Sequence, residues 1–327
     1  MEAVVATTAV VLVVVPLVGV QVVGAPLSLG RVTLRQYDEG VGGGLTERCR
    51  AMIQANPNYP PEWKAKYFEG MERGYLSEVR GRCCSEFVAV AEPTRATELA
   101  LEETRLALDL LRYAILFMYT KDRPRAVGVR GDVSDDGRVS VAVRTDNGGF
   151  HCGSELTNHL LELDERTVAR MRAVGVFTLS DLIVKPARTE FEDVILRAVH
   201  WLASAQTQPE NENALLNLVT CLETFFKAEA GTPITATIAE GVAVLTADGL
   251  EERKRRKGRV AHFYSKRSKL THEGSGKVTT AELLELTLIC RDLTTLMIRH
   301  RDQFTTHKQF RDWLEDQKLG GTVRFPD

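Results

Sequence analysis

The pattern of apolar and polar residues changes character about halfway along the chain. In the first part, residues 4–24 form valine-rich runs, and residues 31–35 and 85–91 alternate with the period of a β-strand. One long segment that opens at Pro93 repeats its apolar residues at helical spacing instead. Residues 1–160 therefore predict a β-rich domain that carries one long helix.

The valine-rich segment allows two interpretations. Residues 4–24 are uncharged and long enough to span a membrane or to serve as a signal peptide. However, the only early charge is Glu2, valine rather than leucine dominates, and Pro16 and Gly19 interrupt the run. We therefore predict two buried strands in a cytoplasmic protein, with a membrane segment as the alternative.

Two glycine-containing segments predict turns. The glycines at 40–44 lack the lysine and the spacing of a phosphate-binding loop, so we expect a flexible turn there. The Asp-Gly pair at 136–137 predicts a hairpin that joins strands at 126–130 and 139–144.

The second part of the chain has helical periodicity. Residues 161–188 predict a helical linker that ends near Pro186, and residues 189–327 predict a bundle of short antiparallel helices with a final C-terminal helix. Thr189 and Thr279 have the spacing to acidic residues that is typical of helix starts. The expected fold class is α+β, with the β-rich domain followed by an all-α bundle.

Charge is unevenly distributed. The chain has 327 residues, enough for two domains, and a net charge of −2 that predicts no general affinity for nucleic acid. Residues 251–278, in contrast, hold ten Lys or Arg against three Glu, a local charge of +7. This asymmetry indicates an anionic partner, with a solvated charged surface as the alternative. The candidate contacts to such a partner in this segment are Arg255, Arg256, Lys257, Arg259, Lys266 and Lys269.

The sequence predicts no metal and no cofactor. Its six cysteines are scattered without a Cys-x-x-Cys pair, which argues against a disulfide framework and fits a reducing compartment. His151, Cys152 and His159 form a local group of soft ligands, but the group lacks the fourth ligand of a structural zinc site.

The most distinctive motif lies within the basic segment. Arg267 and His272 stand five residues apart, and they combine a permanent planar cation with the side chain best suited to move protons near neutral pH. Such spacing is common in this chain, because three other Arg–His pairs stand six or seven residues apart: Arg144 with His151, Arg256 with His262, and Arg301 with His307. The flanking residues therefore have to distinguish this pair from the others.

Those flanking residues are Tyr264, Ser268 and Gly274. The resulting pattern, Tyr-x-x-Arg-Ser-x-x-x-His-x-Gly, resembles the end of an ApeA-like HEPN domain, a branch of the HEPN superfamily, over roughly residues 190–305. The resemblance implies a HEPN-like bundle of four or five helices that pairs as a two-fold homodimer. It also implies a metal-independent endoribonuclease with RNA as its partner, acting as a toxin-like or antiphage defence effector restrained by a sensing or regulatory N-terminal domain.

The resemblance also implies roles for individual residues. His272 is the expected general base or acid, and Arg267 the cation that stabilises negative charge in the transition state. Glu223, on the second helix of the predicted bundle, is a candidate carboxylate to orient Arg267, with a structural ion pair as the alternative. Ser268 stands where most HEPN ribonucleases have Asn, Asp or His, and it retains one hydrogen-bond donor. Tyr264 is a candidate to stack on a base, with a place in the core as the alternative. A non-catalytic module that binds RNA or nucleotide and a purely structural dimerisation protein remain open.

Helix geometry restricts how the pair can act. Five residues of α-helix turn through about 500°, so Arg267 and His272 would point about 140° apart. They can meet at one phosphate if the helix ends near Thr271, as Gly274 and Gly276 suggest, or if two copies of the motif come together.

Overall fold

The computed structural model describes residues 8–118, 127–133, 160–226, 234–274, 276–320 and 325, together with strands at 139–143 and 150–154. The chain is a mixed α+β protein in which an N-terminal β-sheet is followed by a helical region. It divides into two compact units. The first takes in residues 1–108 and 118–169, and the second takes in residues 109–117 and 170–327.

The first unit is built on a five-stranded sheet. In their order across the sheet, its strands are β3 (Leu27–Leu29), β4 (Val32–Gln36), β5 (Cys83–Ala91), β1 (Ala9–Val18) and β6 (Gly128–Val129). Two further pairs are β2 (Val20–Val22) parallel to β9 (Leu161–Leu163), and β7 (Val139–Val143) antiparallel to β8 (Phe150–Ser154). Every described pairing in the main sheet is antiparallel, and its fully buried side chains include Leu17, Leu29 and Leu34.

The valine-rich segment forms two strands, as predicted, but the first part of β1 is exposed rather than buried, and of the two expected interruptions only Gly19 ends a strand. β1 runs through Pro16 and ends before Gly19, whose φ of 76° turns the chain into β2. Pro16 is tolerated because it lies where β1 passes from its partner β5 to its partner β6, and its carbonyl accepts a hydrogen bond from the Arg130 amide. Residues 1–7 lie outside the described part of the chain.

The helices of the first unit correct one predicted turn. They are α1 (Glu39–Ala55), α2 (Pro61–Met71), α3 (Ser77–Val79) and α4 (Pro93–Ile115), with a π-helical turn at Glu72–Leu76. The glycines at 40–44 lie inside α1, because Asp38 caps that helix by accepting a hydrogen bond from the Val41 amide. Gly42 also has a packing role, since a Cβ atom there would lie 3.1 Å from the side chain of Arg80.

The predicted hairpin around Asp136 and Gly137 is also wrong. β6 pairs with β1, and β7 pairs with β8. β1 extends two residues past the end of its pairing with β5, and the unpaired backbone of Leu17 and Val18 is satisfied by β6. The turn residues 134–138 themselves lie outside the described part.

The long helix α4 contributes to both units. Its first part belongs to the sheet unit, where Ser85 and Thr104 share a buried hydrogen bond of 2.6 Å. Residues 109–117 belong to the helical unit, where the Tyr113 hydroxyl lies 2.9 Å from the hydroxyl of Thr295 and donates to the carbonyl of Val174. The predicted linker, residues 161–188, holds β9, α5 (Glu165–Ala173) and α6 (Val176–Val184), and the division between the units falls after residue 169.

The second unit is helical. Its further helices are α7 (Glu190–Ala205), α8 (Asn211–Phe225), α9 (Ile234–Thr246), α10 (Leu250–Glu273), α11 (Thr280–Arg299) and α12 (His307–Leu319), with a 3₁₀ turn at Arg301–Gln303. Thr189 and Thr279 form the predicted capping boxes at the starts of α7 and α11. The core is rich in phenylalanine: Phe191, Phe225, Phe263 and Phe310 are all fully buried.

Among the described residues, none of the helices combines the length and the apolar character that crossing a bilayer requires.

Candidate functional site

The basic run and the Arg–His motif lie on one continuous helix. α10 begins after Gly249 and ends at Gly274, whose φ of 61° is the left-handed conformation typical of a helix C-terminus. Val260, Phe263 and Tyr264 form its buried face. Gly258 lies within α10 without interrupting it.

The length of α10 excludes one of the two ways in which the motif could converge. The helix continues through Glu273, past both Arg267 and His272. The two side chains therefore leave the helix about 140° apart. Arg267 lies on the side that faces α8, with its side chain 36% exposed, whereas His272 is exposed to solvent. Within one chain, Arg267 and His272 therefore point to different sides of α10.

The structure brings Glu223 to Arg267, as the sequence predicted. One carboxylate oxygen of Glu223, on α8, lies 3.8 Å from an Nη atom of Arg267. The same oxygen accepts a hydrogen bond from the Tyr264 hydroxyl. Burial of the ring, followed by this bond to a carboxylate, raises the pKa of Tyr264 far above its ordinary value, so the hydroxyl remains protonated and continues to donate. Two side chains of α10 thus converge on one carboxylate of α8.

Tyr264 is placed differently from the RNA-contacting role assigned to it. The residue is only 6% exposed, and its hydroxyl is engaged with Glu223. A ring that stacks on a base needs an accessible face, which this one lacks. Tyr264 therefore belongs to the core, the alternative that the sequence had left open, and acts on the site by holding Glu223.

Three predicted site residues share the outer side of α10. Ser268, Lys269 and His272 are exposed, and none of them has a hydrogen-bond or ion-pair partner within the described ranges. Ser268 and His272 are four residues apart and therefore lie on the same helix face. This face presents a hydroxyl, a cation and an imidazole to solvent.

Most of the other predicted RNA contacts are already paired. Close ion pairs of 2.5–2.8 Å join Arg255 to Glu252, Lys257 to Glu240, Arg259 to Glu285 and Lys266 to Glu282. Arg259 and Lys266 are half-buried, and their ion pairs link α10 to α11. We therefore assign these two residues to holding the helices together rather than to RNA binding. Arg255 and Lys257 remain exposed.

The surface is consequently less positive than the sequence indicates. Glu240 on α9, and Glu282 and Glu285 on α11, come from outside the basic segment and neutralise part of its charge. These carboxylates lie 16 to 26 residues along the chain from the cations they pair with. A count of charges within residues 251–278 therefore does not include them. Among these three carboxylates, only Glu282 was marked in the sequence, by its position in the capping box of α11.

Glu282 connects the two helices at several atoms. Its carboxylate accepts hydrogen bonds from Lys266 at 2.8 Å and from the Thr279 amide at 3.0 Å, and it lies 2.9 Å from His262 Nε2. The Lys266 ammonium is the largest influence that lowers the pKa of Glu282 far below its ordinary value, followed by His262. This carboxylate fixes the orientation of α10 relative to α11, and with it the positions of Arg267 and His272.

The described part of the chain holds no group of three or more His, Cys, Asp or Glu residues arranged to bind a metal ion. The suggested zinc ligands fall largely outside it: His159 is not described, and only the backbone of His151 and Cys152 on β8 is.

The chain was compared with models of protein families, with curated proteins and with solved structures, and none of the three comparisons finds a match.

Proposed function

We propose that the chain is a metal-independent endoribonuclease of the HEPN type that acts as a two-fold dimer. The observation that carries the proposal is the setting of Arg267, a guanidinium held near Glu223 and Tyr264 on the same helix that exposes His272. An oriented arginine and an accessible imidazole are the two groups that metal-free cleavage of a phosphodiester needs.

The dimer follows from helix geometry. Since Arg267 and His272 diverge by about 140° on α10, one protomer cannot direct both at the same phosphate. A two-fold axis close to the exposed face of α10 would bring His272 of one protomer towards Arg267 of its partner. The unpartnered face with Ser268, Lys269 and His272 supports this placement of the axis.

The reaction begins with attack of a ribose 2′-hydroxyl on the adjacent phosphorus. His272 accepts the hydroxyl proton or donates a proton to the leaving 5′-oxygen, and Arg267 stabilises the added negative charge on the phosphate oxygens. The products are a 2′,3′-cyclic phosphate and a 5′-hydroxyl. DNA, which lacks the 2′-hydroxyl, resists this reaction. Ser268 contributes one hydrogen bond, and Lys269, Arg255 and Lys257 hold the RNA backbone.

Purified wild-type protein incubated with total RNA in the presence of EDTA tests the proposal. We expect fragments that end in 2′,3′-cyclic phosphate, and loss of cleavage in both Arg267→Ala and His272→Ala. Lys254→Ala is the matched control, because Lys254 is an exposed cation of α10 on the Glu251 side, far from the motif in sequence. Cleavage that EDTA abolishes, or that both motif variants retain, contradicts the mechanism.

Mixing the two inactive variants tests the shared site. In a dimer of Arg267→Ala with His272→Ala, one of the two composite sites keeps both wild-type residues. Equal mixing should therefore restore about a quarter of wild-type activity, since about half of the random dimers are mixed and each has one intact site. Activity that stays at zero after subunit exchange contradicts a site composed of two protomers.

A second function, a non-catalytic module that binds RNA or nucleotide, is favoured by a different observation. Ser268 replaces the Asn, Asp or His of most HEPN ribonucleases, and much of the basic charge on α10 is paired with carboxylates. RNA binding that survives in wild type without any cleavage would select this function. A dimer with no affinity for RNA at low salt would select the purely structural one. A role as a toxin-like or antiphage effector depends on the ribonuclease activity.

A further inference from the structure

His200 on α7 is an accessible imidazole held by a buried carboxylate. Its Nδ1 lies 2.8 Å from Oδ2 of Asp109, on the part of α4 that belongs to the helical unit. The His200 side chain is 54% exposed, whereas the side chain of Asp109 is 8% exposed. The core therefore positions the imidazole while a large part of the ring stays in contact with solvent.

Asp109 is itself fixed by its neighbours. Arg112, one turn further along α4, donates a hydrogen bond of 3.2 Å to the other carboxylate oxygen, Oδ1. The Arg112 carbonyl in turn accepts a hydrogen bond of 2.9 Å from the side-chain amide of Gln206, just past the end of α7. The His200 ring also lies edge to face with Trp201, with 5.4 Å between the ring centres. Because these contacts join α4 to α7, the imidazole is held in one orientation.

The carboxylate determines which ring nitrogen of His200 is reactive. An ionised carboxylate only accepts hydrogen bonds, so Nδ1 carries the proton that is donated to Asp109. In the neutral ring the lone pair is consequently on Nε2, for which no partner is found among the described residues. The same hydrogen bond raises the pKa of His200 above its ordinary value of 6.5, because the carboxylate stabilises the positively charged ring. His200 thus presents an oriented nucleophilic nitrogen to solvent.

Arg197 and Ser204 share the helix face of His200. Arg197 precedes His200 by three residues and Ser204 follows it by four, and side chains at these spacings are neighbours on a helix. Arg197 is exposed and Ser204 is half-buried, and within the described ranges neither the guanidinium nor the hydroxyl has a partner. Arg267 and His272 diverge by about 140°, whereas Arg197 and His200 point only about 60° apart. One ligand can therefore contact both.

A guanidinium, a hydroxyl and an imidazole nitrogen on one face suit a phosphoryl group. The guanidinium and the hydroxyl donate hydrogen bonds to phosphoryl oxygens, and the imidazole nitrogen attacks phosphorus. We infer that His200 is a phosphoryl-acceptor site that takes its phosphate from a donor of the phosphoramidate class. In this site Arg197 and Ser204 hold the phosphoryl oxygens and Asp109 positions the ring. The site uses neither Arg267 nor His272, so it is independent of the proposed ribonuclease activity.

The transfer forms one bond and breaks one. Nε2 of His200 donates its lone pair to phosphorus as the phosphorus–nitrogen bond of the donor breaks. The amine, already protonated in the donor, leaves as a neutral molecule with the electron pair of that bond. The product is a phosphoimidazolium whose Nδ1–H still donates to Asp109, and the carboxylate stabilises its positive charge.

Incubation of the full-length protein with inorganic phosphoramidate tests the site. The modified residues are located by mass spectrometry of peptides kept at alkaline pH, because phosphohistidine is labile to acid. We expect His200 to be labelled at least about tenfold faster than His272, which is also exposed but has no orienting carboxylate within the described residues. Equal rates at the two histidines, or a faster reaction at His272, would overturn the site.

Asp109→Asn separates positioning from a merely structural role. The charged groups around the imidazole are Asp109 and Arg112 from α4 and Arg197 from α7, and Asp109 is the negative one. Its loss should slow labelling of His200 about tenfold or more. It should also move the midpoint of the rate against pH to lower pH, since the neutral ring reacts and the variant lacks the charge that raises its pKa. An unchanged rate and pH profile would contradict the role of Asp109.

Arg197→Ala protects the test against misfolding, because Asp109 is buried and Arg197 is exposed. This variant should raise the phosphoramidate concentration for half-maximal rate about threefold to tenfold, since it removes hydrogen bonds to a charged group. Lys254→Ala, which removes an exposed cation of α10, is the control and should change that concentration by less than about twofold. Equal effects of Arg197→Ala and Lys254→Ala, in proteins with the circular dichroism spectrum of the wild type, would overturn the site.

Discussion

Glu223 on α8 and Arg267 on α10 lie 3.8 Å apart, oxygen to nitrogen, and this pair joins the second helix of the bundle to the candidate catalytic helix. At this distance the guanidinium and the carboxylate form an ion pair but not a short hydrogen bond. Tyr264 donates to the same carboxylate oxygen and fixes its position. Arg267 is thus oriented by charge while its N–H groups stay available for a phosphate.

Glu223→Gln should lower RNA cleavage far more than it lowers stability. The pair is partly exposed, with side-chain exposures of 36% and 29%, so its loss should cost less than about 1 kcal/mol of unfolding free energy. Cleavage should fall about tenfold or more, because a guanidinium that loses its orienting charge departs from the productive geometry. Glu240→Gln, which breaks the surface pair with Lys257, is the control and should leave cleavage unchanged. Equal effects of the two variants would contradict an orienting role for Glu223.

Glu282→Gln should destabilise the protein in a way that depends on pH. At neutral pH the loss should be about 2 kcal/mol, because hydrogen bonds from Lys266 and Thr279 lose their charged acceptor. The folded-state pKa of Glu282 is depressed, so its stabilisation is present above the ordinary value of 4.5 and is lost as the pH falls through the folded-state pKa.

Urea unfolding of wild type and Glu282→Gln between pH 3 and pH 7 measures this dependence. The difference between the two should shrink on the acid side of the ordinary pKa. Glu251→Gln, whose side chain is 85% exposed, serves as the control and should differ little from wild type throughout. A difference that stays constant down to pH 3 would contradict the assignment.

His200 should make stability depend on pH in the opposite direction. Its Nδ1 lies 2.8 Å from a carboxylate oxygen of Asp109, and this hydrogen bond is the main cause that raises the pKa of His200 above its ordinary value of 6.5. A raised folded-state pKa contributes stability that is fully present below 6.5 and is lost as the pH rises through the folded-state value.

The melting temperatures of wild type and His200→Gln at pH 5.5 and pH 8.5 test this linkage. The advantage of the wild type should be larger at pH 5.5. Asp109→Asn should remove the same pH dependence, since it removes the negative charge that the imidazolium contacts. An advantage that is equal at both pH values would show that the pair does not titrate as described.

Gly241→Ala should destabilise the helical unit by about 1–3 kcal/mol. A Cβ atom at Gly241, on α9, would lie 2.5 Å from the Phe226 ring and 3.2 Å from the Leu314 side chain. Both neighbours are buried and leave little space for a shift. Gly258→Ala, on exposed α10 with no atom within 4 Å of the new Cβ, should stabilise by about 0.5–1 kcal/mol through helix propensity. Denaturant unfolding of both variants checks the two opposite signs.

The sequence by itself predicted the features that depend on local interactions. Apolar periodicity located most helices, and Thr189 and Thr279 marked two helix starts correctly because a capping box joins residues only three apart. The proximity of Glu223 to Arg267 was also anticipated, from the place of Glu223 on the second helix of the bundle, and whether Glu223 orients Arg267 for chemistry stays a prediction. The HEPN assignment, the RNA partner and the homodimer stay predictions.

Tertiary structure decided the features in which distant residues meet. The glycines at 40–44 are helical because Asp38 caps α1 and Arg80 packs against Gly42. The number of glycines in the segment does not predict either contact. Likewise, Pro16 fits within β1 because the pairing of β1 with β5 ends at Pro16 and its pairing with β6 begins at the next residue.

The same physical reason applies to the basic segment. Its local charge of +7 counts only residues that are close in sequence, whereas the electrostatic field at a surface is the sum over all charges that are close in space. Glu240, Glu282 and Glu285 approach α10 only once the bundle has folded, and they bring three of the ten cations of the segment, Lys257, Lys266 and Arg259, into ion pairs between helices. The sequence determined which cations were present, and the packing of α9 and α11 against α10 decided which of them stay available to a ligand.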